Sequence, residues 1–155
     1  MRKALARFAA VLAALVIVAV QATPAHAVTQ DPPNWGTLIV GNGCPDYISV
    51  GPIQGRGWGC FERYGDRFYV YAGNMTDGTP RVYWTNDLKD AAGNWVPYRT
   101  GVCYGEYYAD STVVCNKDFY ENSTVRSGGV SGSRIRFYYW DSNGSGSTTT
   151  VVNNA

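Results

Sequence analysis

The chain has 155 residues, with 13 basic and 12 acidic side chains, so its net charge is close to zero. That balance supplies no basic field for nucleic acid or an anionic membrane. The single histidine, His26, sits near the N-terminus, so the rest of the chain lacks the parts of a serine triad, a Cys–His pair or a histidine-built zinc hydrolase.

Arg2, Lys3 and Arg7 precede an unbroken apolar run of thirteen residues, Phe8 to Val20, and then the small-x-small site Ala25-His26-Ala27. This order of features is that of a secretory signal peptide cleaved after Ala27. A retained membrane anchor is the rival, but the run is short of the roughly 20 residues that a span needs. Cleavage leaves a single domain, Val28 to Ala155, of 128 residues, and moves the net charge from +1 to −2. Its expected compartment is extracellular, with no membrane attachment once the signal is removed. All four cysteines, Cys44, Cys60, Cys103 and Cys115, lie in this part. An even count behind an export signal points to two disulfides. Of the three pairings, Cys44–Cys60 and Cys103–Cys115 close the shortest loops. With no Cys-x-x-Cys and no second histidine, a zinc site lacks ligands, and no cofactor is expected.

In chain order, Asp31-Pro32-Pro33 opens an extended leader. Trp35 to Val40 and Asp46 to Val50 are the first candidate strands. Gly51 to Gly57, with Pro52 and three glycines, reads as a loop. Trp58 to Arg63 and Arg67 to Tyr71 are β-rich runs joined at Tyr64-Gly65-Asp66, a hairpin signal. Ala72 to Thr79 is a loop, Pro80 opens a third run, and Arg81 to Thr85 continues it. Asn86 to Asn94 is the one candidate helical turn, stopped by Gly93-Asn94. Trp95 to Thr100 reads as a weak strand broken by Pro97. Cys103 to Asp110 and Ser111 to Phe119 read as strand and return strand, and Gly128 to Gly132 as a loop. Arg134 to Trp140 is the strongest strand signal. Residues 142–155 end the chain as a Ser/Gly turn followed by a last strand or a flexible tail. Short strands between Gly/Pro/Asx turns predict an all-β fold, a small antiparallel sandwich or barrel with two disulfides behind a helical signal peptide.

Period-two alternation sorts the faces. Phe68, Val70, Val82, Trp84, Ile135, Phe137 and Tyr139 are expected inward. Tyr69, Tyr71, Tyr83, Tyr138 and Trp140, with Arg67, Arg81, Arg134 and Arg136, are then outward. In the strand from Trp58, either Trp58, Cys60 and Glu62 or Gly59, Phe61 and Arg63 share the core side. Tyr, Trp and Arg bury large areas and still hydrogen-bond, which suits a binding face for a protein or a glycan. The same residues also suit covering neighbouring strands, with arginines stacked on tyrosines.

Other chemistry is thinner. Glu62, Glu106 and Glu121 could supply a carboxylate pair for glycoside hydrolysis, although strand-end and turn carboxylates are commonly just solvated. Asn74, Asp77, Asp87, Asp90 and Asn94 flank the third run and could hold calcium, but Asx residues in turns bond their own backbone. The sequons at Asn74, Asn122 and Asn143 mark surface loops.

From Gly57 to about Arg126, Phe61, Gly65, Asp66, Phe68, Val70, Asp77, Gly78, Val82 and Tyr83 carry a pattern that resembles a group of small secreted proteins of high-GC Gram-positive bacteria. Cys103, Cys115 and a strand near Val125 are similar to the second half of that group. An Asp expected two residues after Val70 is Ala72 here, and the following loop is longer. The resemblance implies a secreted, disulfide-linked β-sandwich and supplies no activity.

The functional expectation is therefore a secreted, non-enzymatic binding module whose partner is an extracellular protein or glycan. The alternatives are a secreted inhibitor of an extracellular hydrolase, presenting Gly51 to Gly57 or Ala72 to Thr79, and a small carboxylate glycosidase. Mass spectrometry of the exported protein should find an N-terminus at Val28 and a gain of four hydrogens on reduction; free thiols in the native protein would contradict the two-disulfide assignment.

Overall fold

The computed structural model describes residues 28–39, 49–53, 56–74 and 76–154. The expected signal peptide, Cys44 with the expected turn before it, and the first residues of the second candidate strand lie outside the described residues.

Alternating side chains and Gly/Asx turns produce twelve strands among the described residues. They are β1 (Thr29–Gln30), β2 (Asn34–Trp35), β3 (Thr37–Ile39), β4 (Ser49–Ile53), β5 (Gly57–Glu62) and β6 (Arg67–Ala72), then β7 (Arg81–Lys89), β8 (Trp95–Tyr104), β9 (Ser111–Asn116), β10 (Ser133–Asp141), β11 (Gly144–Ser145) and β12 (Thr149–Val152). No helix occurs among the described residues. A seven-stranded sheet runs β1-β8-β7-β10-β11, with β2 beside β8 and β12 beside β10; a five-stranded sheet runs β3-β9-β6-β5-β4. The five-stranded sheet is antiparallel throughout. The seven-stranded one is mixed rather than purely antiparallel, because β1 and β2 pair parallel with β8.

The two sheets pack face to face around an aromatic core. Phe68 from the five-stranded sheet meets Trp84 at 6.0 Å and Phe137 at 5.7 Å across the gap, and touches Phe61 and Phe119 on its own side. Phe61 and Phe68 are fully buried and directly paired, so Gly59 and Phe61 take the core side of β5. Trp84 lies flat over the backbone of Gly101, its cross-strand partner, where any Cβ would come within 2.4 Å of the ring. Gly36 performs a second close approach: the chain passes from β2 in one sheet to β3 in the other there, and a Cβ would meet Val113 Cγ2 at 2.6 Å.

Several expectations change. Asn86 to Lys89 continue β7 and form no helical turn. Leu88 and Asn86 are buried while Asp87 projects to the other face and binds Arg134 and Arg136, so the alternation simply goes on with a polar residue inward. The turn proper is confined to Asp90–Asn94, where the Asp90 carboxylate accepts from the Ala92 and Asn94 amides. Pro97 does not break the next strand. Asn86 pairs with Arg99 and Asp87 with Pro97, so Tyr98 is the extra residue of a bulge and the missing Pro97 donor falls at an irregularity. Residues 51–53 belong to β4, and so lie in a strand where a loop was expected. No strand forms near Val125; that stretch is held by turn bonds such as Thr124 N–H to Glu121 O and Gly129 N–H to Arg126 O. The final stretch is a strand, with Val151 opposite Ile135.

Cys103 and Cys115 are bonded, with Cα atoms 6.0 Å apart. They do not close a hairpin. Cys103 lies in β8 and Cys115 in β9, so this disulfide ties one sheet to the other. Cys60 is fully buried on β5, and no described cysteine is free. The Gly65-Asp66 turn also does more than join strands. Asp66 takes a left-handed conformation (φ 52°), and its buried carboxylate accepts from Phe119 N–H at 2.8 Å and Asn153 Nδ2 at 3.0 Å. One turn thereby anchors both the segment after β9 and the C-terminal tail.

Replacing Cys103 and Cys115 together by alanine should lower unfolding free energy by about 3 kcal/mol, as expected for a closed loop of this length. Urea denaturation checks this, and an unchanged midpoint would show that the core alone holds the sheets together.

Candidate functional site

The outer face of the seven-stranded sheet gathers the residues best suited to recognition. Register places them in rows across the strands. Trp35, Tyr104, Arg81 and Trp140 are successive neighbours on β2, β8, β7 and β10. The Arg81 guanidinium lies 4.4 Å from the Trp140 ring and 5.3 Å from Tyr104, while Trp35 stacks on Tyr104 at 4.8 Å. The next row carries Val102, Tyr83 and Tyr138, the two tyrosines stacked at 5.2 Å. Arg81 also donates to the Tyr83 hydroxyl at 3.2 Å. At the far end Trp95 is flanked by the Arg134 guanidinium at 4.6 Å and the Lys89 ammonium at 5.1 Å.

The charged groups on this face are engaged by one carboxylate and by aromatic rings. Asp87, only 1% exposed, accepts from Arg134 Nε and, through both oxygens, from Arg136. Its carboxylate raises the Arg136 pKa further, chiefly through that hydrogen bond. Arg81 is held by rings, the Tyr83 hydroxyl and the Thr79 carbonyl, with no carboxylate. Because neighbouring rings stand against one another, they present edges and hydroxyls to solvent. Trp35 is the exception: one face rests on Tyr104, and the residue is 65% exposed. One row away, a furrow of about 300 Å³ is lined by Gln30, Tyr83, Thr100, Val102 and Tyr138 among others, and its one charged lining residue among those described is Arg136, which Asp87 holds.

The five outward aromatics expected from alternation do not form one surface. Tyr83, Tyr138 and Trp140 share this face. Tyr69 and Tyr71 stand on the outer side of the five-stranded sheet, whose strands pair only with one another. Tyr69 is buried and donates to Glu62 Oε2 at 2.7 Å; Tyr71 stacks on Trp58 at 5.4 Å and donates to Asp110 Oδ1 at 2.7 Å. Two members of the face, Trp35 and Tyr104, were missed. Both carry the Tyr/Trp signal, but only the parallel pairing of β2 with β8 brings them to Arg81.

The carboxylate candidates are separately committed. Glu62 is bound by Arg67 and Tyr69, Glu106 lies in the loop after β8, and Glu121 in the loop after Phe119. Of the oxygen-rich set, Asp87 serves two arginines and Asp90 caps its own turn. Among the described residues no cluster of three or more His, Cys, Asp or Glu forms a metal-binding arrangement.

Tyr71, Tyr138 and Tyr139 all have raised pKa values. The Asp110 hydrogen bond is the main cause for Tyr71, and burial for the other two. Each therefore stabilises the fold fully below the unfolded value of about 10 and loses that contribution as pH rises through the higher folded value. Melting temperature should fall steeply above about pH 10, and Tyr139→Phe should flatten that fall while costing about 1 kcal/mol at neutral pH. A melting temperature independent of pH across this range would refute the assignment.

Comparison with known proteins brings no match: no family model fits the chain, and no curated protein or solved structure is similar to it at a significant level.

Proposed function

We propose that the protein is a secreted, non-enzymatic binding module that takes a neutral glycan chain on the outer face of its seven-stranded sheet. The observation that carries this is Trp35: an indole two-thirds exposed, pinned in place by Tyr104 and standing beside a polar furrow. A flat apolar ring with polar groups alongside suits a sugar, whose ring has C–H faces and hydroxyl edges. Arg134 and Arg136 share the one Asp87 carboxylate, while Arg81 and Lys89 lie over aromatic rings, so these four cations are already engaged within the protein, which favours a ligand without negative charge. Export after Ala27 and a second disulfide, Cys44–Cys60, belong to the same reading. They rest on the N-terminal sequence pattern and on the even cysteine count.

The purified protein should be retained on at least one insoluble neutral polysaccharide among cellulose, chitin, starch and mannan. Trp35→Ala should weaken retention about tenfold, consistent with loss of one stacked aromatic anchor, and should leave the melting temperature within about 2 °C because the ring is exposed. No retention on any of the four would overturn the glycan reading.

A second reading, a hydrolase inhibitor, draws support from a different loop than the sequence suggested. Tyr107 and Tyr108 are 61% and 74% exposed in the segment between β8 and β9, the two strands that the Cys103–Cys115 bond links. Asp110, held by Tyr71, tethers the same segment. Inhibition of chymotrypsin-like enzymes that Tyr108→Ala abolishes would favour this reading over the first.

A further inference from the structure

At one end of the sandwich, away from the sheet face, a second cleft of about 190 Å³ is lined by Asn86, Tyr98, Arg99, Asp118, Phe119 and Tyr120. Its floor holds two polar groups without hydrogen-bond partners among the described residues. Asn86 is fully buried. Its Nδ2 donates to Ser133 Oγ at 3.0 Å and the Arg134 carbonyl at 3.2 Å, both on β10, and its Oδ1 has no hydrogen-bond partner among the described residues. Arg99, on β8, is the direct cross-strand neighbour of Asn86. Its Nη2 donates to the Asp118 carbonyl, while its buried Nε–H makes no hydrogen bond among the described residues and has Asp31 Oδ1, its ion-pair partner, at 3.6 Å. A buried donor and a buried acceptor left open are each costly, and native proteins ordinarily fill such positions.

The pair specifies its complement. A group that accepts from Arg99 and donates to Asn86 is a hydroxyl, or two adjacent hydroxyls. One water could do the same, but water occupies about 30 Å³, so the cleft has room for roughly six. The remaining walls are unlike a water pocket. The Arg99 guanidinium lies flat over Phe119 at 4.9 Å, and Tyr98 and Tyr120, 5.9 Å apart and 39% and 42% exposed, form the rim. Apolar ring surface with a donor and an acceptor at the base matches a six-membered ring that bears vicinal hydroxyls.

We propose that this cleft is a binding site for a single neutral pyranose, held by hydroxyls bridging Arg99 Nε and Asn86 Oδ1 and by ring contact with Tyr98 and Tyr120. The site shares no residue with the sheet-face furrow, and it stands whether or not that face binds a polysaccharide.

Solution NMR with methyl β-glucopyranoside, methyl β-galactopyranoside and methyl α-mannopyranoside, each added separately, tests it. At least one should shift the Asn86 side-chain amide and the Tyr98 and Tyr120 ring signals and saturate with a dissociation constant of about 1–10 mM, as the size of the ligand allows. Tyr120→Ala, at an exposed rim position, should weaken that binding about tenfold while leaving the melting curve intact. If no glycoside shifts these signals at about 100 mM, far above that constant, the cleft holds water alone and the proposal fails. Shifts confined to Tyr83, Tyr138 and Gln30 would likewise overturn it, and would place the sugar on the sheet face instead.

Discussion

Everything in this fold hangs on the contact of Phe68 with Trp84 and Phe137 across the gap between the sheets. Each sheet is half apolar, and neither can keep that half from water alone. Phe68 sits where the five-stranded sheet is widest, paired with Phe61 on one side and Cys115 on the other, and it meets the middle strands of the partner sheet. The Cys103–Cys115 bond then fastens the same two layers through β8 and β9. The Gly101 backbone lets the Trp84 ring lie close, so the aromatic layer stays thin enough for both sheets to share it.

The outer surfaces follow from that arrangement. Once the inward set is chosen, the pleat forces Arg81, Tyr83, Asp87, Arg136, Tyr138 and Trp140 outward on neighbouring strands. There they satisfy each other: guanidinium on ring, ring on ring, and two arginines on one buried carboxylate. Most of this aromatic surface is consequently committed to the fold. Trp35 is the member left with open area, because it lies on a two-residue edge strand with Tyr104 as its one stacking partner among the described residues.

Polar residues explain most of what the sequence hid. Asn86 and Asp87 look like a turn, yet they are mid-strand, one feeding hydrogen bonds inward and the other ion pairs outward. Pro97 looks like a strand breaker, yet it falls at a bulge where the ladder is already interrupted. Asp66 looks like a turn residue and is one, but its carboxylate also holds Phe119 and Asn153, which lie far along the chain. In each case the partner sits roughly ten to ninety residues away, and nothing local records it.

The amino-acid sequence by itself determined the all-β class, the inward and outward sets of β6, β7 and β10, and the Cys103–Cys115 pairing. These depend on period-two alternation, turn chemistry and short loop closure, all of which are local. Tertiary structure alone decided which strands share a sheet. It split Tyr69 and Tyr71 from Tyr83, Tyr138 and Trp140, brought Trp35 and Tyr104 to Arg81, and made Asn86 and Arg99 cross-strand partners. Strand order is a matter of long-range pairing, where many arrangements satisfy the same alternation and only the packing of the whole core selects one.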